Sequence, residues 1–292
     1  MFKNSLKLQL ALGAMALTLL LLLVQSLLQF QLLRAQLVER IESHEFRQLT
    51  EIASHLEDEL TERVQALAHA STSVPADAMT DLVRLEQQLQ RETALLSLYD
   101  DLYIFDPKGT LLVDWPVKPG RRTIDASDRD YIAGVIAKRA PVISRPVLGK
   151  ATLQPIIVIA APILNPQGTL VGIMGGVLNL ARPNLLGALA SRKNGRDGYF
   201  YLVSPERVMI SHPDRTRILT SLDRSGTNPA IEAAMAGFEG TREATNSRGL
   251  QGLFTFKRIP STGWVLASVV PSDEAFAPIS ALARQLALTT AL

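Results

Sequence analysis

Between Lys7 and Arg34 the chain carries no charged residue, and Leu, Ala, Val and Phe dominate, with LLLLLV at 19–24. No other feature constrains the fold as strongly. Water cannot solvate such a run, and roughly 20 apolar residues cross a bilayer as a helix. A cleaved signal peptide is the rival reading, since AMA at 14–16 has the small residues of a cleavage site. That triplet lies inside the run rather than after it, and a signal core is usually about 7 to 15 residues long, which favours an uncleaved anchor. Lys3 and Lys7 before the span, against the mixed Arg34, Glu39 and Arg40 after it, favour an N-terminus in the cytoplasm. Everything beyond Arg34 is then extracytoplasmic.

Past the span the apolar pattern becomes amphipathic. Leu33, Leu37, Ile41, Leu49, Ile52, Leu56, Leu60, Val64 and Leu67 recur mostly at three- and four-residue steps with charged residues between them. This predicts a long helix continuous with the anchor, able to carry piston or rotational motion or simply to pack on its own domain. VPAD at 74–77 interrupts it, and a shorter helical pattern resumes over 79–98.

An internal repeat organises the rest of the chain. YIFDPKGTLLVDWP at 103–116 and YLVSPERVMISHP at 201–213 each read as apolar strand, proline turn, apolar strand; Tyr103, Asp106 and Pro107 match Tyr201, Ser204 and Pro205, each 98 residues on. After the first hairpin come a helix at about 128–139 and strands over 155–180 that turn at NPQG. After the second come a helix at about 228–237 and strands over 252–271 that turn at PSTG. The order predicts an α+β architecture: an N-terminal transmembrane helix, a long stalk helix, and two PAS-like modules, each with an antiparallel sheet. The boundaries expected are 1–34 for the cytoplasmic N-terminus and span, 35–98 for the stalk and helical connection, 99–182 for the membrane-distal module, 183–271 for the membrane-proximal module, and 272–292 for a helix returning to the membrane.

SDRDYIAGVIAKRAPVISRPVLGKATLQPIIVIAAPI at 127–163, followed by GTLVGIMGGVLNL, resembles the distal module of double Cache sensor domains. These are the extracytoplasmic ligand-binding regions of bacterial chemoreceptors, histidine kinases and diguanylate cyclases. GYFYLVSPERVMISHPD at 198–214 and FKRIPSTGWVLASVVPSDEAF at 256–276 are similar to the proximal module. The resemblance covers about residues 35–285 and implies a bacterial inner-membrane receptor, signalling as a homodimer, with its output in a separate domain.

SDRDYIAG at 127–134 is the stretch richest in candidate chemistry. Ser127 or Asp128 can cap a helix, and Asp130 suits its first turn. Arg129 is a cation at the unfavourable end of that helix; a guanidinium beside free backbone N–H groups suits a carboxylate or phosphate. In the amino-acid-binding subset of the resembled family, an Arg, a Trp and a second aromatic clamp the ligand carboxylate, and a later Asp holds its ammonium. Here Arg129 takes the Arg place and Tyr131 the Trp place, while Ile132 replaces the second aromatic and Gly149 the Asp. A small anion without an ammonium group fits this pattern better than an α-amino acid. Lys150 and Thr152 can add donors, which gives Arg129, Asp130, Tyr131, Lys150 and Thr152 as the ligand-binding candidates. Gly149 has a plain alternative reading as a turn residue before a strand.

Other chemistries are disfavoured. With no cysteine there are no disulfides, thiolate metal sites or Cys nucleophiles, and a net charge of +2 argues against a nucleic-acid surface. His44, His55 and His69 stand about 16 and 21 Å apart along one helix at about 1.5 Å per residue, too far to share a metal. His212 is isolated and reads as structural at a strand end. No HExxH, GxSxG or Walker A pattern occurs, and GIMGGV at 172–177 precedes an apolar strand rather than a helix. No cofactor and no enzymatic activity is expected. An extracytoplasmic hydrolase would need His212 beside a serine; a scaffold that docks a periplasmic partner would leave Arg129 facing solvent with no cavity. SDEAFAPISALARQ at 272–285 reads as an amphipathic helix, and QLALTTAL at 285–292 as the start of a second span.

Overall fold

The computed structural model describes residues 3–222, 228–281 and 284. Helix α1 runs without a break over Lys3–Thr72. After Gly13 its sequence holds neither Gly nor Pro until Pro75, and a proline disfavours helical backbone in the residue before it, so the helix stops there. At about 1.5 Å per residue it is about 100 Å long. Its apolar N-terminal half includes a window of mean hydropathy 2.2 of which none is buried, long and apolar enough to cross a membrane. From Leu49 onward the helix turns one stripe inward, with Leu49, Ile52, Leu56, Leu60 and Leu67 buried.

The connection expected as one helix over 79–98 is split. Helix α2 spans only Leu82–Arg91, started by Asp81, whose carboxylate accepts from the Val83 and Arg84 N–H groups, and it is flanked by single 3-10 turns at 76–80 and 95–97. The first sheet comes next: β1 (Asp101–Phe105), β2 (Leu111–Trp115), then helix α3 (Asp130–Lys138), the short β3 (Val142–Ile143) and β4 (Val147–Leu148), and the long hairpin β5 (Pro155–Leu164) and β6 (Leu170–Asn179). NPQG makes that hairpin turn, with the Asn165 side chain accepting from the Gln167 and Thr169 N–H groups. Helix α4 (Leu185–Ser191) leads to β7 (Lys193–Asn194), β8 (Gly198–Val203) and β9 (Met209–Ser211). Helix α5 (Pro229–Met235), β10 (Gly240–Thr245), β11 (Gln251–Arg258), β12 (Val265–Pro271) and the short α6 (Ser272–Ala275) follow, and the backbone is helical again over 277–281, so the helix expected over 272–285 is interrupted by a turn at Phe276. The expected second span at 285–292 lies outside the described residues.

The two sheets share one path. The first is ordered β2-β1-β6-β5-β3 and the second β10-β11-β12-β8-β7, with β9 also paired to β8 and all pairings antiparallel. In each, the first strand of the opening hairpin lies against the last strand of its module, Ile104 opposite Met174 and Leu202 opposite Leu266. The repeated turn residues act alike: the Asp106 carboxylate accepts from Thr110 N–H and the Ser204 hydroxyl from Val208 N–H, four residues on in each case. The chain is thus an α+β protein with a long N-terminal apolar helix and two antiparallel sheets.

Strand β5 shows why its sequence is a continuous apolar run. Ile157, Ile159, Ala161 and Ile163 face α1, while Ile156, Val158 and Ala160 face α3, so both faces are covered. One core joins α1 to the inner faces of both sheets; the outer face of each sheet has its own smaller core, under α3 and under α5. Gly176 on β6 lets the Tyr99 ring pack directly on the strand, since a Cβ there would meet that ring at 2.4 Å.

Candidate functional site

Alternation on β1 sets the floor of the site. Ile104 points into the shared core, and so Tyr103 and Phe105 point to the outer face, their rings edge to face at 5.8 Å. Helix α3 lies over that face, burying Tyr131, Ile132 and Val135, and Tyr131 stands 6.1 Å from Phe105. The burial pushes the Tyr131 hydroxyl up to about 12. Ile132 fills the core beneath α3, and the aromatic wall of the site comes from Tyr103 and Phe105 on β1 together with Tyr131.

The helix start differs from the expectation. Arg129, not Ser127 or Asp128, occupies the cap position of α3, and no side chain caps it. Ser127 N–H is taken by the Asp125 carboxylate at 2.8 Å in a tight turn, and Asp128 points away to Lys150. The physical reason is competition: the ammonium of Lys150, 2.6 Å from Asp128, attracts the carboxylate more strongly than a backbone N–H does. Its hydrogen bond and charge hold the Asp128 carboxyl below the usual carboxylate range.

Two contacts close the site. The Arg129 Nη2 donates to the Leu148 carbonyl at 2.9 Å, and Lys150 Nζ donates to the Asp125 carbonyl at 2.6 Å. The segment from β4 to β5 is thereby clasped onto the entry to α3, and beneath it lies a cavity of about 40 Å³. Arg121, Arg129, Lys150 and Thr152 contribute to its wall together with Tyr103, Phe105 and Tyr131; no Asp or Glu does among the described residues. No carboxylate stands within ion-pair distance of Arg129 among the described residues. What the arrangement can do chemically is donate hydrogen bonds and positive charge to a small anion.

Four of the five candidate residues therefore meet at one cavity. The fifth, Asp130, does not: its Oδ2 accepts from Arg145 N–H at 2.8 Å and faces Arg145 Nε at 3.3 Å, because the turn between β3 and β4 brings Arg145 over the first turn of α3. Gly149 belongs to the wall, and a Cβ there would come within 2.9 Å of Thr152 Oγ1, so the glycine keeps the segment close to the cavity. Tyr103, Phe105 and Arg121 were not read from the sequence. The first two were accessible from the alternation in YIF; Arg121 was signalled only by the paired arginines in PGRR.

A larger cleft of about 740 Å³ runs between α1 and the segments around Asp100 and Pro183, but it is an open trough in which Arg63 and Arg182 are already paired with Glu59 and Asp100 of the same lining. In the second sheet, His212 is 5% exposed. Its Nδ1 accepts from Asp214 N–H and its Nε2 lies 3.1 Å from Arg217; no serine is among its hydrogen-bond partners in the described residues. Burial, aided by Arg217, lowers its pKa to about 4.

Two antiparallel sheets of one topology on a membrane-length helix, the first with a small cation-lined cavity under its outer helix, define a tandem PAS-like sensor fold. The chain belongs to the Cache domain family, whose model matches residues 31–279. It is 25% identical over 233 residues to the methyl-accepting chemotaxis protein McpG of Pseudomonas putida, covering 78% of this chain and 34% of that protein. To the methyl-accepting chemotaxis protein PctB of Pseudomonas aeruginosa it is 25% identical over 267 residues, 89% of this chain and 40% of that one. The chain thus spans little more than a third of the length of these relatives. The crystal structure of the ligand-binding domain of the Pseudomonas fluorescens chemoreceptor CtaA in complex with L-isoleucine has the same fold, with a TM-score of 0.64 at 23% identity over 84% of this chain and 98% of that one.

Proposed function

We propose that this chain is the extracytoplasmic sensing region of a bacterial transmembrane receptor, and that it binds a small carboxylate in the cavity of the first sheet. One observation carries the reading: Arg129, Lys150 and Arg121 converge on that cavity, which has no acidic residue among its described wall residues. An anion entering it gains charge-assisted hydrogen bonds from Arg129, whereas an ammonium group finds no counter-charge. Volume narrows the class further. A water needs roughly 10 to 15 Å³ of such space, so 40 Å³ suits an acid of a few heavy atoms. The complex of the CtaA domain with L-isoleucine concerns that protein; here the wall favours a carboxylate without the amino group.

Binding in this reading pulls the segment after β4 and the entry of α3 together, favouring one of two arrangements of α1 by differential affinity. The N-terminus lies in the cytoplasm and the modules outside it. Two copies pair through α1, where Leu33 is 39% exposed in the single chain. The chemotaxis relatives favour an output domain of that kind. A panel tests the ligand class: full-length chain in lipid nanodiscs, melted in the presence of short carboxylates, amino acids, amines and neutral sugars. The reading expects short carboxylates alone to raise Tm. A scaffold that only docks a protein partner gives no shift with any of them.

A further inference from the structure

Arg121 is 2% exposed and stands in the wall of the cavity. Its Nη2 donates to Asp101 Oδ2 at 3.0 Å, while Nη1 lies 3.8 Å from Asp114 Oδ2, beyond hydrogen bonding. Nε and Nη1 are buried without a hydrogen-bond partner among the described residues. The guanidinium stacks over the Tyr103 ring, 5.3 Å from its centre. A purely structural ion pair would be expected to close as a two-pronged contact with one carboxylate. This one leaves two donor nitrogens open in a place where an unsatisfied polar group is costly.

Charge decides what those nitrogens meet. Asp101 and Asp114 flank Arg121, and Asp128 pairs with Lys150, whereas Arg129 has no carboxylate partner among the described residues. The cavity thus holds one uncompensated cation, enough for one anionic group. We infer that Arg121 determines ligand specificity by donating to an uncharged oxygen, a hydroxyl or a carbonyl, borne by the same short monocarboxylate that Arg129 holds. The ligand class is therefore a short hydroxy or oxo acid. This rests on the carboxylate reading of the cavity and refines it. Plain short-chain acids leave the Arg121 donors unsatisfied, and dicarboxylates bring a second charge that the site does not balance.

The test is calorimetry on the full chain in nanodiscs with matched acids: propionate, lactate and pyruvate; butyrate with 2-, 3- and 4-hydroxybutyrate; and succinate. At least one oxygen-bearing acid is expected to bind at least about tenfold more tightly than its plain parent, since a hydrogen bond to a charged donor is worth that much. Arg121→Lys keeps the charge beside Asp101 while removing the donor pair, and is expected to reduce that ratio to near one with binding of the plain acid little changed. Equal binding of plain and oxygen-bearing acids by the wild type overturns the inference whatever the variants do, as does a preference for succinate or a ratio that survives in Arg121→Lys. In those cases loss of binding in Arg129→Ala still supports the carboxylate site. If no acid binds the wild type, or Arg129→Ala binds as well, the carboxylate reading itself fails.

Discussion

The Tyr99 hydroxyl donates a 2.6 Å hydrogen bond to the Arg63 carbonyl, while the Arg63 Nε donates back to the Leu98 carbonyl at 3.2 Å. This reciprocal pair ties the first sheet to α1 midway along its packed half, at the place where Gly176 lets the Tyr99 ring seat. In the proposed receptor this joint is a route by which a change in the first sheet is expected to reach α1.

The joint is tested by two substitutions. Tyr99→Phe removes one buried hydrogen bond and is expected to cost about 1 kcal/mol. Gly176→Ala drives a methyl into the ring and is expected to cost more, about 1 to 3 kcal/mol. Denaturant unfolding of the two variants beside wild type checks both the values and their order.

The clasp formed by Lys150 contributes little to folding, because the Asp128 side chain it pairs with is 63% exposed. Lys150→Met is expected to leave unfolding within about 0.5 kcal/mol of wild type. Ligand dissociation is expected to accelerate several-fold, because one tie across the mouth of the cavity is lost. Stopped-flow displacement measures this rate; an unchanged rate removes Lys150 from the binding site.

His212 sets a pH dependence whose sign is fixed by its burial. The folded state holds it neutral with a pKa near 4, against 6.5 when free, so between these values the unfolded chain binds more protons. The His212 contribution to stability is therefore full above about pH 7 and is expected to fall away as pH drops toward 4, by on the order of 3 kcal/mol. Lowered carboxyls such as Asp128 and Asp214 lose their contribution only at more acidic pH. His212→Gln is expected to flatten the slope between pH 6.5 and 4 in thermal melts.

The absence of cysteine makes pairing of α1 directly testable. Leu37→Cys, on the apolar stripe, is expected to form an intermolecular disulfide in membranes under mild oxidation; Glu39→Cys, on another face, is expected not to. Equal cross-linking at both positions contradicts pairing through that stripe.

Most of the architecture was legible because its signals were physical and strong. The uncharged run, the three- and four-residue steps of α1 and the repeated proline hairpins specify the helix and both sheets. Strand β10, GTREAT, was missed because an edge strand with half-exposed side chains needs no apolar pattern. The capping of α3 was misjudged for a different reason: Lys150 lies 22 residues from Asp128, and no local rule shows that it takes the carboxylate from the helix. The paired arginines of PGRR mark Arg121 without assigning it a place, since its position depends on cavity walls brought together from β1, α3 and the segment after β4.

The central claim is that Arg129 holds the carboxylate of a small ligand. Its most direct measurement is titration calorimetry of wild type, Arg129→Ala and Arg129→Lys with the acid giving the largest Tm shift. Losing a paired charge in an enclosed site should weaken binding at least about 30-fold in Arg129→Ala, with a smaller loss in Arg129→Lys, which keeps charge but not the fork. Equal affinity in all three proteins contradicts the claim.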